Sequence, residues 1–500
     1  VSPQQPILSC EQSREFEERL FHGDEALEWS AMQLAGHALA KAIPRDFLEL
    51  GALPAKGRLL VLAGKGHNGG DALLAAAELL CRHPGFEVDV LPVFGSVGMK
   101  PLARRALRLL QEQGHARVCV LGAPGQGSGG PYLLSLDGIF GFQFRAPMPE
   151  LALSAIAWEA TQEVRMRVSV DLPSGLDAPG AYEADFTYAT GIAKTPILSC
   201  PKTGRVRHLD LGFFDRQAAP QGCRDWVIDR QFLRPLAVFR KAKADKRSFG
   251  HVYIVGGSRS YPGAVLMSVL GALRSGAGLV TAFVPESLVP SFAARAPEAM
   301  WVGWPETPEG GLALEGCVLL ESRLARASAL VLGPGLGREP ETLAMAERIV
   351  QRSTVPTLID ADALQARVVR AGTCPRILTP HAGEYLRIAG GLEPMELSRQ
   401  LSAVLVVKGP VTQVVWDGQT YHSFCGGPVL ARGGSGDLLA GIIGGLLAQE
   451  PADPAQAAAR GVVWQGCAAD LLARAQGPMS AATTDLLAWL PQVLREAADE

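Results

Sequence analysis

The chain is expected to be an α/β protein of two domains, each a parallel sheet covered by helices on both faces. Three observations lead there. Its 500 residues exceed one ordinary core. Short apolar runs alternate with helical stretches through both halves. The rhythm breaks over 216–248, a mixed, polar stretch ending in RKAKADKR (240–247), and then restarts. Domains are therefore expected at 1–220 and 246–500, with a linker over 221–245. The basic run reads first as solvated surface and only second as a phosphate contact.

In the first half, 11–42 is helical, polar at first and then small and apolar. RLLVLA (58–63) suits a buried parallel strand, and the loop GKGHNGGD (64–71) follows it. A helix is expected over 72–80, a strand over 88–93 and a helix over 101–113. Further strands are expected over 118–121 and 168–170. In the second half HVYIV (251–255) is a strand, followed by GGSRSYPGA and a small-residue helix through Leu273. Strands follow at 279–284, 329–332, 357–359, 377–379 and 404–408. Asp417-Gly418 joins 414–416 to 420–423 as a hairpin. Helices over 461–475 and 484–496 close the chain. The two halves share a class but not a repeat, since their glycine loops differ in spacing.

Composition narrows function. The apolar fraction is 48% and the charged fraction 19%, with 47 basic and 50 acidic residues and a net charge of −3. That gives no footprint for nucleic acid or an anionic membrane. No apolar run reaches a bilayer span. VSPQQPILSCEQSREFEERL lacks a basic start before an apolar stretch, so no secretion signal is expected. Nine scattered cysteines without CxxC spacing suggest neither zinc nor disulfides, and read as small core residues of a protein in a reducing cytoplasm.

The most informative run is ARGGSGDLLAG (431–441). Three glycines allow a tight turn, and an apolar helix opens at once. A helix start attracts anions through unpaired N–H groups and its dipole. An aspartate there would repel phosphate unless it takes a proton from the group that attacks the phosphate. Gly434, Ser435 and Gly436 are thus candidates for an anion hole, and Asp437 for a general base. A capping loop with a surface Asp needs one polar side chain and not three glycines. Four more polar loops follow strands of this half: GPGLG (333–337), DADAL (360–364), TPHAGE (379–384) and KGPVT (408–412). Open α/β sheets bind ligands at this edge. Lys408 is a candidate to meet phosphate and His381 to hydrogen-bond a substrate.

These motifs, in this order, make 246–495 resemble the ribokinase-like superfamily, and within it the ADP-dependent NAD(P)H-hydrate dehydratases. The resemblance implies that ADP phosphorylates the hydroxyl of a hydrated nicotinamide ring and that loss of phosphate restores the double bond. Asp437 would be the base, with Ala264, Gly335, Gly337 and His381 lining the hydrate site. Lys408, Gly409, Pro410, Val411, Thr412 and Gly436 would hold the nucleotide, with Mg²⁺ as its cofactor. GGPVLARGG (426–434) departs from the family pattern: Gly427 stands where Asn is usual and Arg432 where Thr is usual. Arg432 is a candidate phosphate contact.

In the first half GKGHNGGD lies between strand and helix, where loops cradle phosphate, but matches neither GxGxxG nor a P-loop. DGIFGFQFRAP (137–147) and VSVDLPSGLDAPG (168–180) are two more polar loops. Asn68, Asp137 and Ser174 offer oxygens suited to a hard cation, although each alone also reads as a turn former. HNGGD, DGIFG, VDLPSGLDA and ADFTYATGIAK make 10–215 resemble the NAD(P)H-hydrate epimerases. That implies a Rossmann-like three-layer αβα sandwich that interconverts R and S hydrates. His67, Asn68, Gly69, Gly70, Asp71, Gly141, Phe142, Gln143, Phe144, Arg145, Ala146, Pro147 and Asp171 would contact substrate. Asn68, Asp137 and Ser174 would bind K⁺. Asp171 is the first candidate for proton handling and Lys194 the second. Departures are His67 for a frequent Asn, Ala72 for a frequent Gly, and Phe142-Gln143-Phe144 for smaller residues.

The combined expectation is a cytoplasmic repair enzyme acting on NADHX and NADPHX with ADP, with no nucleic-acid or membrane partner and homo-oligomerisation left open. Two rivals remain: a small-molecule kinase in the second half, and a protein-binding scaffold in the first.

Overall fold

The computed structural model describes residues 5–127 and 130–499. The first four residues of the segment read for a secretion signal lie outside them. The chain divides into two compact units at Val227–Ile228. No helix of the described residues is long and apolar enough to cross a membrane.

In the N-terminal unit seven parallel strands lie in the order Val118–Val120, Phe86–Pro92, Gly57–Ala63, Tyr132–Gly138, Val164–Val170, Phe186–Thr190, Arg205–Leu209. The order reverses between Gly57–Ala63 and Tyr132–Gly138, which opens a crevice at their carboxyl ends. Successive side chains of a strand face opposite ways, and the core divides accordingly. Leu59, Val61 and Ala63 pack with helices Glu25–Phe47, His67–Arg82 and Pro101–Gly114, whereas Leu60 and Leu62 pack with Glu150–Ala160. This is a three-layer αβα sandwich.

The C-terminal unit repeats the scheme. Its strands run Met300–Trp304, Leu279–Pro285, His251–Val255, Ala329–Leu332, Thr357–Ile359, Arg376–Leu378 and Ala403–Val407, all parallel, then Thr412–Trp416 and Gln419–Ser423, antiparallel. The order reverses between His251–Val255 and Ala329–Leu332. Val252 and Ile254 face helices Ser435–Gln449 and Pro454–Gln476, and Tyr253 and Val255 face the other layer. Asp417 and Gly418 both have positive φ, 49° and 75°, as a tight hairpin turn requires.

Several expectations change. The helix expected over 11–42 is two, Cys10–Phe21 and Glu25–Phe47, because His22 turns left-handed at φ 51°. The loop expected over 64–71 ends at Gly66, and His67–Asp71 form the first turn of a helix. Tyr132–Gly138, Phe186–Thr190, Arg205–Leu209 and Met300–Trp304 were not anticipated; they hold polar or short patterns that only pairing with neighbours stabilises. Residues 221–245 are divided between the units. Gln5 and Pro6 pair with Val227 and Trp226 in one, and Phe232 and Leu233 are buried in the core of the other. Of the cysteines, Cys200, Cys317 and Cys467 are buried, whereas Cys81 and Cys119 are exposed.

Candidate active sites

In the C-terminal unit parallel strands bring five loops to one edge. Gly257 N–H donates to Pro334 O at 2.8 Å and Ser258 Oγ to Gly335 O at 2.9 Å, which ties the first two loops together. A Cβ on Gly335 would meet Tyr261 O at 2.4 Å and Ala264 Cβ at 3.0 Å, so only glycine fits this approach. A cavity of about 400 Å³ opens beside them, with Ala264, Gly433, Gly434 and Asp437 in its wall. Sequence candidates 170 residues apart are thus joined.

Gly434 turns at φ 87° and starts the Ser435–Gln449 helix. Ser435 Oγ donates to Leu430 O at 2.7 Å and Arg432 O at 2.9 Å, and Gln465 Nε2 donates to Ser435 O at 2.7 Å. Ser435 therefore braces the turn with its side chain, and what the helix start offers an anion is backbone N–H. A Cβ on Gly436 would meet Lys408 Nζ at 3.1 Å, so the ammonium reaches the same nest.

Lys408 is held there by Asp360. Its Nζ donates to Asp360 Oδ1 at 3.0 Å, Thr379 Oγ1 donates to the same oxygen at 2.7 Å, and Glu384 Oε2 lies 3.9 Å away. Burial alone would lower the Lys408 pKa, but Asp360 and then Glu384 outweigh it and keep the ammonium charged. Asp437 has no ion-pair partner of its own within 4 Å among the described residues. Its pKa is pushed up to about 6, by burial first and then by the Asp360 charge, against the pull of Lys408. That value suits a proton acceptor near neutral pH.

His381 borders this site in another role. Its Nδ1 accepts from Gly383 N–H at 3.0 Å and caps helix Ala382–Ala389, while its exposed Nε2 lies 3.4 Å from Glu384 Oε1. Gly337 N–H donates to Asp362 at 3.1 Å. Gly409 and Pro410 are exposed, and Thr412 Oγ1 donates to Gly409 O at 3.3 Å. Arg432 does not face the nest as a free cation: its guanidinium donates to Pro478 O at 2.7 Å and Met479 O at 2.6 Å. The carbonyls were invisible in the sequence because they lie 46 and 47 residues on. The motif DADAL alone does not show that Asp360 is the anchor for Lys408. Its signal was an acidic residue directly after a buried parallel strand.

In the N-terminal unit a cavity of about 440 Å³ opens at the crevice. Asp171 sits at its base in a left-handed conformation, φ 67°, which a non-glycine residue adopts only when its surroundings impose it. Here Asp171 N–H donates to Tyr188 O at 2.8 Å, Lys194 Nζ donates to Asp171 Oδ1 at 2.5 Å, and Phe142 N–H donates to Oδ2 at 3.1 Å. Lys194 is only 2% exposed. Burial would lower its pKa, but Asp171 and then Glu17 raise it, so the ammonium persists.

His67, Asn68, Asp71, Gly141, Phe142, Gln143, Phe144 and Arg145 also line this cavity. Ala146 and Pro147 do not, and Pro149 does. Gly69 and Gly70 are buried: a Cβ would meet Gly64 O at 2.5 Å or Met32 Cε at 2.0 Å, so they serve close packing of the helix. Ala72 is buried against the sheet. His67 Nε2 lies 3.3 Å from Glu28 Oε2. Phe140 and Phe144 pack at 5.2 Å and narrow the mouth with Phe94.

Asp137 is fully buried at the end of the Tyr132–Gly138 strand. Ser174 Oγ donates to its Oδ1 at 2.6 Å, and Ser174 N–H to Oδ2 at 2.8 Å. Asn68 Nδ2 donates to Phe140 O at 2.9 Å, and Ser174 Oγ lies 3.4 Å from that same carbonyl. Asn68, Asp137 and Ser174 therefore do converge. The donor set is all oxygen with one carboxylate, which fits a hard cation and not a transition metal. Burial raises the Asp137 pKa to about 6, against its hydrogen bonds from Ser174.

Two doubly wound units, each with a carboxylate and a lysine at its carboxyl edge, define a bifunctional α/β enzyme, one half arranged for phosphoryl transfer. Residues 252–492 match the family described as NAD(P)H-hydrate dehydratase, and 29–195 match the YjeF-related protein N-terminus. The chain is 35% identical over 498 residues to the bifunctional NAD(P)H-hydrate repair enzyme Nnr of Moorella thermoacetica, covering 94% of this chain and 93% of that one. It is 32% identical to the enzyme of that name from Escherichia coli, covering 89% and 86%. Among solved structures, the ADP/ATP-dependent NAD(P)H-hydrate dehydratase of Bacillus subtilis is 28% identical with a TM-score of 0.47, covering 54% of this chain and 98% of that one. The chain belongs to the bifunctional NAD(P)H-hydrate repair enzymes.

Proposed function

We propose that the C-terminal unit dehydrates S-NADHX and S-NADPHX with ADP, and that the N-terminal unit interconverts the R and S hydrates so that both are repaired. The observation that carries the first part is Asp437, unpaired and with its pKa raised to about 6, at a glycine-built helix start that Lys408 also reaches. The hydrate hydroxyl gives its proton to Asp437 and attacks the β-phosphorus of ADP, and AMP leaves. The helix N–H groups and Lys408 hold the charge that develops. Loss of phosphate and a ring proton then forms the double bond: hydroxide, a poor leaving group, has become phosphate.

Mg²⁺ would come with the nucleotide and would neutralise phosphate charge at the Ser435–Gln449 helix start, which leaves Asp437 to take the proton. Ala264 and Gly335 would border the hydrate, and Lys408–Thr412 the nucleotide. In the N-terminal unit Asn68, Asp137 and Ser174 would hold K⁺, which would fix the loops at the crevice. Asp171, oriented by Lys194 and Phe142 N–H, would accept a proton from the water that adds at the hydrated carbon.

The test is to give the full chain R,S-NADHX with ADP and follow NADH absorbance. Recovery of the whole mixture is expected, and no recovery with any nucleotide overturns the reading. A phosphorylated product that persists would favour a kinase instead. Absence of NADHX binding by the N-terminal site would favour a scaffold.

A further inference from the structure

The cavity of the N-terminal unit holds a carboxyl that no motif announces. Glu17 lies on helix Cys10–Phe21 and lines the cavity with Asp71, Asp171 and Lys194. The single buried ammonium is committed to Asp171 at 2.5 Å. Glu17 has no ion-pair partner within 4 Å among the described residues. Asp71 Oδ1 is buried and accepts no hydrogen bond. Three carboxyls therefore surround one lysine in a space of about 440 Å³. They cannot all ionise at low dielectric: burial first, then the Asp171 and Glu17 charges, holds the Asp71 carboxyl well above its ordinary range, and its Oδ1 is shut away from solvent.

The neighbours decide which one is useful. Glu28 from helix Glu25–Phe47 adds negative charge, while Lys65, Lys100 and Arg145 add positive charge to the cavity wall, and His67 is engaged with Glu28. Cys10, one helix start away, feels the same charges. The Glu17 pKa is pushed up to about 7, by burial first and then by Asp171 and Glu28, against Lys194. Glu17 keeps partial exposure, so solvent can return its proton.

We propose that Glu17 is the general acid of the epimerase site, the partner of Asp171. This rests on the epimerase reading above. The C–O bond of the hydrated ring carbon breaks as the ring nitrogen's lone pair forms a C=N⁺ bond. The Glu17 proton joins the departing oxygen, and water leaves. Water adds to the other face, its proton passes to Asp171, and the lone pair returns to nitrogen. Exchange with solvent restores both carboxyls, so the only net change is configuration.

The experiment uses the full chain, one NADHX epimer without nucleotide, and chromatographic separation of the epimers across pH. The wild-type rate should fall as pH rises through about 7, where Glu17 loses its proton. Glu17→Gln should slow epimerisation about 100-fold and remove that falling limb. Glu17→Asp should recover part of the rate together with the limb. Dehydration of S-NADHX with ADP should be unchanged in both variants, which reports intact folding. A Glu17→Gln enzyme with the wild-type rate, or a slow one that keeps the falling limb, overturns the proposal. A wild-type chain that epimerises nothing removes the epimerase reading itself, a result distinct from either.

Discussion

Both units set a lysine among carboxylates at the carboxyl edge of a parallel sheet, yet they pair them differently. Lys194 bonds directly to Asp171, the candidate proton acceptor, and both are buried. Lys408 bonds to Asp360, a bystander, and reaches the helix start that bears Asp437 without pairing with it. On the reading proposed above, the lysine of the first site orients the reactive carboxylate, whereas that of the second is anchored by Asp360 to serve a phosphate and leaves Asp437 to take a proton. The choice of tether separates an orienting cation from an anion-binding one.

The hardest blow to this contrast is Asp437→Ala. It should abolish dehydration, a loss of roughly a thousandfold or more, and leave epimerisation intact. If both activities vanish together, the division of labour is wrong. Lys194→Met and Lys408→Met each strand a buried carboxylate and should cost about 3 kcal/mol of stability, read by denaturant unfolding. Only Lys408→Met should also weaken ADP binding; equal loss in the two variants would erase the distinction between the lysines.

Protonation sharpens the comparison further. Asp437 must be ionised to act, so the dehydration rate should climb as pH rises through about 6 and level off above it. Because its folded pKa is raised, the folded state binds more protons than the unfolded one between the ordinary carboxylate range and about 6, and stability falls as pH rises through that window. Asp437→Asn should therefore melt higher than wild type at neutral pH, by on the order of 2 kcal/mol, and lose that advantage near pH 4. An unchanged melting temperature at neutral pH would mean that Asp437 carries no such strain. The smallest effect is expected of Arg432→Thr. Its guanidinium serves Pro478 O and Met479 O, so about 1 kcal/mol of stability should go while ADP affinity holds.

The sequence made much of this legible. The strand at 251–255 and the glycine–aspartate loop announced themselves because apolar runs and φ-permissive turns are local properties. Asn68, Asp137 and Ser174 stood out only as oxygen donors that could meet, and the structure sets Asn68 in a helix turn and Asp137 at a strand end. Asp360 as an anchor, Glu17 as a cavity wall and the carbonyls that occupy Arg432 did not stand out, since each depends on a partner 46 to 177 residues away. His67–Asp71 became a helix turn because Gly69 and Gly70 let it settle against Gly64 and Met32, a packing choice that spacing alone does not encode.

By itself, then, the chain's order of residues determined two α/β units, their glycine turns and the carboxylates at the strand ends, because hydrophobic period and backbone freedom act over a few residues. Which lysine meets which carboxylate, and so which acid is held and which can take a proton, was decided only in three dimensions. Parallel pairing brings distant loops to one edge, and burial there makes charge pairing strong enough to choose.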